Sequence, residues 1–144
     1  YTIRKKITNQ LSKYLEKVEE IEIINKNRIN ITSGENLDDI QSLIDKLNLD
    51  KSVHRTKYFK GGYSSAKELL DNFIKFRLEK YSELKNDPTT EYTSNMSPYL
   101  HFGQISPLEI ALEIKSKGLT DNTESFLEEL IVRRELAFNF CYYN

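Results

Sequence analysis

Two Ser-Pro pairs, Ser97-Pro98 and Ser106-Pro107, constrain this chain more than any other feature. Proline presets the backbone for a first helical turn and has no N–H to lose there, and a serine before it can cap the helix. Each pair leads into apolar residues and then a glycine, Gly103 after the first and Gly118 after the second. Glycine ends helices readily because it tolerates a left-handed backbone. The pairs therefore predict two short helices in succession, the second strengthened by Glu109 three residues after its serine.

The remaining pattern is also helical. Ile3, Ile7, Leu11, Leu15 and Val18 form an apolar stripe over residues 3–20, and Leu37, Ile40, Leu43, Ile44 and Leu47 form another over 36–47. Between them, residues 21–32 alternate β-branched and polar residues and predict either a short hairpin or an extended connector. Gly61 and Gly62 mark residues 54–65 as a loop. Ser65 and Glu68 then fit a capping box, followed at helical spacing by Leu69, Leu70, Phe73, Ile74, Arg77, Leu78, Tyr81 and Leu84. Pro88 requires that helix to stop just before it. A last helix begins at about residue 123 and meets no stop signal, which predicts a domain that continues past Asn144. The fold class is mainly α.

A length of 144 residues suits one domain with a real core. Hydrophobic residues at 38% and charged residues at 30% exclude a disordered chain, and no apolar run is long enough to cross a bilayer. A net charge of −1 gives no global attraction to a polyanion, so any nucleic-acid surface is local. The first residue is Tyr1 rather than Met, and no signal peptide is visible. Cys141 is the single cysteine, which excludes an internal disulfide and a cysteine-based zinc site and predicts a small buried hydrophobe.

Two places carry more polar chemistry than packing requires. Thr93, Ser94 and Ser97 set three hydroxyls before a helix N-terminus, where free N–H groups suit a phosphate or pyrophosphate. The alternative is that Ser97 caps its own helix and the others are ordinary loop residues. On the last helix, Phe126, Glu129, Arg133, Leu136 or Ala137, and Phe140 fall on one face. Glu129 and Arg133 are either a solvated ion pair or a polar patch that reads the hydrogen-bonding edges of a ligand. Arg134 adds a second cation, suited to phosphate or to plain surface.

The stretches SNMSPYLHFGQIS, FLEELIVRREL and NFCYYN together resemble the cyclobutane-dimer DNA photolyases, and more narrowly their class II branch. The resemblance is dense over residues 55–144 and weaker over 1–54. It implies that 1–54 is a connector from an absent N-terminal α/β antenna domain, and that 55–144 is the first part of a helical FAD-binding domain, truncated at its C-terminus. It implies FAD as cofactor and ultraviolet-damaged DNA bearing a pyrimidine dimer as partner. No membrane and no metal are expected, the full-length protein is expected to be a monomer, and the location is intracellular, wherever the DNA is.

Residue by residue, the family's phosphate cradle matches Thr93, Ser94, Asn95, Met96 and Ser97. Tyr81 matches a tyrosine that contacts FAD, and Phe126 an apolar position lining the flavin pocket. Lys85 falls where relatives place a cation on the DNA backbone. Glu129 matches the catalytic glutamate that hydrogen-bonds the dimer, and Arg133, with Arg134 beside it, an arginine of the DNA-facing surface. One departure stands out: Phe138 occupies a position where class II enzymes usually carry aspartate, so Arg134 loses an acid four residues on. The implied function is light-driven splitting of pyrimidine dimers, with this chain inactive alone. The alternatives are a cryptochrome-like FAD photosensor and a cofactor-free helical interaction module, which flavin absorbance and repair assays separate.

Overall fold

Ala66, Leu70 and Phe73 recur at helical spacing and are wholly excluded from solvent, which makes one face of their helix the middle of the core. A computed structural model of the chain describes residues 2–19, 21, 22, 24, 34 and 38–143. Among these the regular structure is helical throughout, as the apolar periodicity predicts. The chain forms two compact units, one of residues 1–18 and 60–144 and the other of residues 19–59.

The smaller unit contains α2 (Ile40–Lys46), capped by the Asp39 carboxylate accepting from the Ser42 N–H at 3.0 Å. Its expected apolar stripe is not buried: Ile40, Ile44 and Leu47 are all exposed. Leu37 lies outside the described residues, as does most of the connector or hairpin expected over 21–32.

In the larger unit, α1 (Thr2–Tyr14) stops short of the expected residue 20. Leu15 packs onto the core and Val18 is exposed; only polar residues separate these two, so nothing apolar draws a further turn inward. Next comes α3 (Tyr63–Phe76), which begins before the expected capping box at Ser65 and Glu68. Tertiary bonds decide that start. Gly62, at φ +106°, gives its N–H to the Gln104 side chain at 2.9 Å, and the Tyr63 hydroxyl donates to Glu109 at 2.7 Å. Lys67, one turn on, pairs with Glu113 and lies 3.6 Å from Asp71. Glu109 and Glu113 both belong to α6 (Pro107–Lys115), so one polar seam joins the two helices.

The single helix expected from 65 to 84 is broken at Arg77. A 3₁₀ turn at Leu78–Lys80 leads into the one-turn α4 (Tyr81–Leu84). No glycine or proline marks the break; a distant asparagine holds it. Asn122 accepts from both the N–H and the hydroxyl of Ser82, at 2.8 and 2.7 Å, and donates to the Glu79 carbonyl. It thereby satisfies groups that the break leaves without helical partners. Both Leu78 and Tyr81 are buried as a result.

The two Ser-Pro signals differ in outcome. Ser106 caps α6 as expected, accepting from the Leu108 N–H at 3.2 Å. Ser97 does not cap α5 (Ser97–His101): it is the first helical residue, and the preceding Met96 is buried in the core with no side-chain cap. The burial of Met96 fixes where the helix begins, and the serine falls one position too late. Thr120 and Thr123 cap α7 (Asp121–Leu127) reciprocally. A π-helical segment, Glu128–Arg133, joins α7 to α8 (Arg134–Tyr143). None of the described residues of α8 is buried, and Cys141 is exposed, contrary to the buried role expected for it. No helix among the described residues is long and apolar enough to cross a membrane.

Removing the clamp at the helix break gives a direct test. Asn122→Ala leaves the Ser82 N–H and the Glu79 carbonyl without their partners, and is expected to cost about 1–3 kcal/mol in urea unfolding. Asn122→Asp, which keeps the acceptor and loses the donor, is expected to fall between the two.

Candidate functional site

The core places three aromatic rings where α3, α4 and α7 meet. Phe73 lies 5.6 Å from Tyr81 and 5.0 Å from Phe126, and Tyr81 lies 5.3 Å from Phe126. Edge-to-face contacts such as Phe73–Tyr81 exploit the ring quadrupoles and hold their partners at set angles. Tyr81, expected to contact FAD, and Phe126, expected to line the flavin pocket, are thus brought together and largely buried.

A charged cluster adjoins these rings. The Glu129 carboxylate takes Lys85 Nζ at 2.9 Å on one oxygen and Arg133 Nε at 3.0 Å on the other. Lys85 also lies 5.5 Å from the centre of the Tyr81 ring. Its side chain is only 18% exposed, against 68% for Arg133, so the two cations differ in role. Lys85 is turned inward to the glutamate and the ring, whereas Arg133 keeps much of its guanidinium in water. Burial, reinforced by the negative charge of Glu129, raises the Tyr81 phenol above its ordinary range.

Glu129 and Arg133 both lie in the π segment, whose wider turn still leaves residues four apart in contact. Adjacent side chains there take opposite duties. Glu128 reaches Arg4 of α1 at 2.7 Å while Glu129 faces α4. Likewise Arg133 meets Glu129, while Arg134 lies over the Phe138 ring at 5.3 Å and lines a crevice with Leu11, Tyr14 and Leu15. Arg134 thus meets an aromatic ring at 138, where the class II resemblance implies an acid, and it makes no ion pair with the Lys85–Glu129–Arg133 cluster. Leu136, Ala137 and Phe140 are exposed and do not continue the burial of Phe126.

The hydroxyl loop forms a second locus. Thr93 donates its hydroxyl to Asn95 Oδ1 at 3.1 Å, and Ser94 Oγ accepts from the Met96 N–H at 3.4 Å. Asn95 has φ +57°, the one left-handed residue other than glycine among those described. Met96 anchors the loop in the core, leaving Thr93, Asn95 and Ser97 at the surface. Arg77, read from the sequence only as part of a helical stripe, donates Nη1–H to the Thr93 carbonyl at 3.0 Å. Its guanidinium lies 5.8 Å from the Phe73 ring centre. Spacing along the chain could not have found that contact, because it crosses from the end of α3 to a loop.

No family model matches the chain. Individual proteins do. The deoxyribodipyrimidine photo-lyase of Arabidopsis thaliana is 39% identical over 150 aligned positions, covering 99% of this chain and 30% of that protein. That of Methanothermobacter thermautotrophicus is 50% identical over 86 positions, covering 60% of this chain and 19% of its own length. The chain belongs to the photolyase/cryptochrome family. The cryptochrome side is represented by Cryptochrome-2 of Arabidopsis thaliana, 35% identical over 117 positions, covering 67% of this chain and 19% of that protein. Against these photolyase and cryptochrome relatives the chain spans between 19% and 30% of their lengths. Its all-helical fold among the described residues accords with the helical domain of a photolyase.

The raised Tyr81 phenol has a pH consequence. A group whose folded pKa lies above its unfolded value, about 10 for tyrosine, contributes stability that is present below that value. The contribution is lost as pH rises through the folded pKa. Glu129→Gln removes the smaller of the two causes, so Tyr81 is expected to titrate at lower pH in that variant, still above an exposed tyrosine. Spectrophotometric titration of the phenols, with Tyr81→Phe to assign the signal, checks both the direction and the partial size.

Proposed function

We propose that this chain supplies part of the flavin site and part of the damage-facing surface of a light-driven DNA repair enzyme of the class II branch. On this reading residues 1–54 lead in from an antenna domain and residues 55–144 begin the FAD-binding domain. The observation that carries it is Glu129, held between Lys85 and Arg133 beside the buried pair Tyr81 and Phe126, in a chain similar to proteins named deoxyribodipyrimidine photo-lyase.

The residues fit FAD. Met96 fastens the 93–97 loop from inside while Thr93 and Ser97 stay at the surface, and no helix cap uses the Ser97 hydroxyl. Arg77 adds positive charge, and no carboxylate among the described residues pairs with it. Hydroxyls and a guanidinium suit a diphosphate. When bound, reduced FAD supplies the light-driven electron that opens the cyclobutane ring. Tyr81 and Phe126, packed on Phe73, would back the flavin site from the core side.

Glu129 then orients the dimer. Each carboxylate oxygen has two acceptor sites, so the bonds to Lys85 and Arg133 leave capacity for N–H groups on the base edges. Two cations and one carboxylate also give the cluster a net charge of +1, which favours negative charge developing on the dimer. Arg133, the more exposed cation, is suited to a DNA phosphate, and Lys85 to holding the glutamate in place.

In the complete protein, Glu129→Gln is expected to keep FAD while the repair yield per absorbed photon falls. Arg133→Ala is expected to weaken binding to damaged DNA and flatten its salt dependence. Repair yield and affinity across salt concentrations measure both; an undiminished yield in Glu129→Gln makes the cluster a structural ion pair. The double variant Ser94→Ala/Ser97→Ala is expected to lose FAD on gel filtration. Its stability should fall by no more than about 1 kcal/mol, from the lost Ser94 Oγ–Met96 N–H bond, since Ser97 caps nothing. Likeness to Cryptochrome-2 supports a second reading, a photosensor on the same flavin site. Repair of dimer-containing DNA under blue light distinguishes the two.

A further inference from the structure

We propose that Arg77 is the positioning residue of the hydroxyl loop, holding residues 93–97 in the shape that receives a diphosphate; this rests on the reading of that loop given above. The loop has two anchors. At its far end Met96 is 2% exposed and locked in the core. At its near end Thr93 is tied from outside the loop by the Arg77 Nη1–H bond to its carbonyl at 3.0 Å.

Arg77 is itself held on both sides. Its backbone closes α3, giving its N–H to the Phe73 carbonyl at 2.9 Å. Its guanidinium lies 5.8 Å from the centre of the Phe73 ring, which is wholly buried. The loop is thus referenced to the rigid centre of the core rather than to solvent. Between the anchors the backbone turns through Asn95 at φ +57°. Left-handed residues other than glycine are uncommon and persist where their surroundings fix them.

The same side chain sets the charge of the loop. A guanidinium has five N–H donors, and no carboxylate among the described residues neutralises this one. A full positive charge therefore stands at the Thr93 carbonyl, where the hydroxyl loop begins. The role has two separable parts, an N–H bond that fixes the carbonyl and a charge that favours an anion. Lysine keeps the charge but loses the planar group that lies by the Phe73 ring and aims that bond.

The test uses the complete protein and two variants, Arg77→Lys and Arg77→Gln. Amide hydrogen exchange of Asn95 and Met96 in flavin-free protein reads the bond to the Thr93 carbonyl. Dissociation constants for FAD and for riboflavin, which has no phosphate, read the charge. Arg77→Gln is expected to speed loop exchange and to weaken FAD about tenfold, with riboflavin affinity unchanged. Arg77→Lys is expected to recover FAD affinity in part while exchange stays fast. Unchanged loop exchange in both variants, or equal losses for FAD and riboflavin, overturns the proposal. If wild-type protein binds neither ligand, the diphosphate reading fails, and the exchange measurement still decides whether Arg77 holds the loop. Should Arg77→Gln not fold, loop exchange at wild-type rates in Arg77→Lys is sufficient to overturn it.

Discussion

Everything in the larger unit is arranged around the meeting of Phe73, Tyr81 and Phe126. Three rings from three helices cannot converge unless the chain turns between the first two, and the break at Arg77 provides that turn. The rings share the core with buried aliphatic side chains such as Leu70, Met96, Ile110 and Ile114, and burial of their combined apolar area supplies the driving force. Direction comes from the polar bonds at the rim. Asn122 fixes the angle of α4 against α7, and Lys85 with Glu129 closes the same junction from its other side. Core and candidate site are therefore one construction. The residues that carry polar chemistry are attached directly to those that exclude water.

The charges show how burial sorts similar side chains. Lys85 and Arg133 contact the same carboxylate, yet one is mostly covered and the other mostly wet. An exposed ion pair contributes little to stability because water screens it. A partly covered pair is harder to break, because removing one partner leaves the other poorly solvated. The cluster therefore has a fixed half and an adaptable half. The seam between α3 and α6 follows similar logic. Burial of Lys67 works against its charge, and Glu113 and Asp71 more than offset that, so its pKa is raised. That contribution is present below the unfolded value of about 10.4 and fades as pH rises through the folded one.

Much of the helical layout was legible in the sequence because it rests on local rules. Ser106-Pro107 began a helix where capping chemistry requires it, and Leu70 and Phe73 were readable as one apolar face. What escaped was set by distant partners. Gln104 and Glu109 moved the start of α3, and Asn122 stabilised a break that no glycine or proline announces. Ser97 misled because Met96, an ordinary-looking loop residue, was needed inside the core and took the capping position. Within the candidate site, the Glu129–Arg133 pair followed from spacing along a helix. The inward turn of Lys85 and the grip of Arg77 on Thr93 did not, since both bridge separate elements.

The π segment at Glu128–Arg133 has a consequence for reading related chains. A wide turn takes in one residue more than an α-turn, and one residue corresponds to about 100° of rotation in the helix that follows. A relative with an ordinary turn at this point would match letter for letter through Arg133 and then point its remaining side chains elsewhere. Phe138 set beside an aspartate in such an alignment would be paired in text and unpaired in space. Comparing α8 across the family therefore requires deciding helical phase before residue identity. A single-residue gap inside 128–133, which ordinary scoring discourages within a helix, is then the physically correct choice.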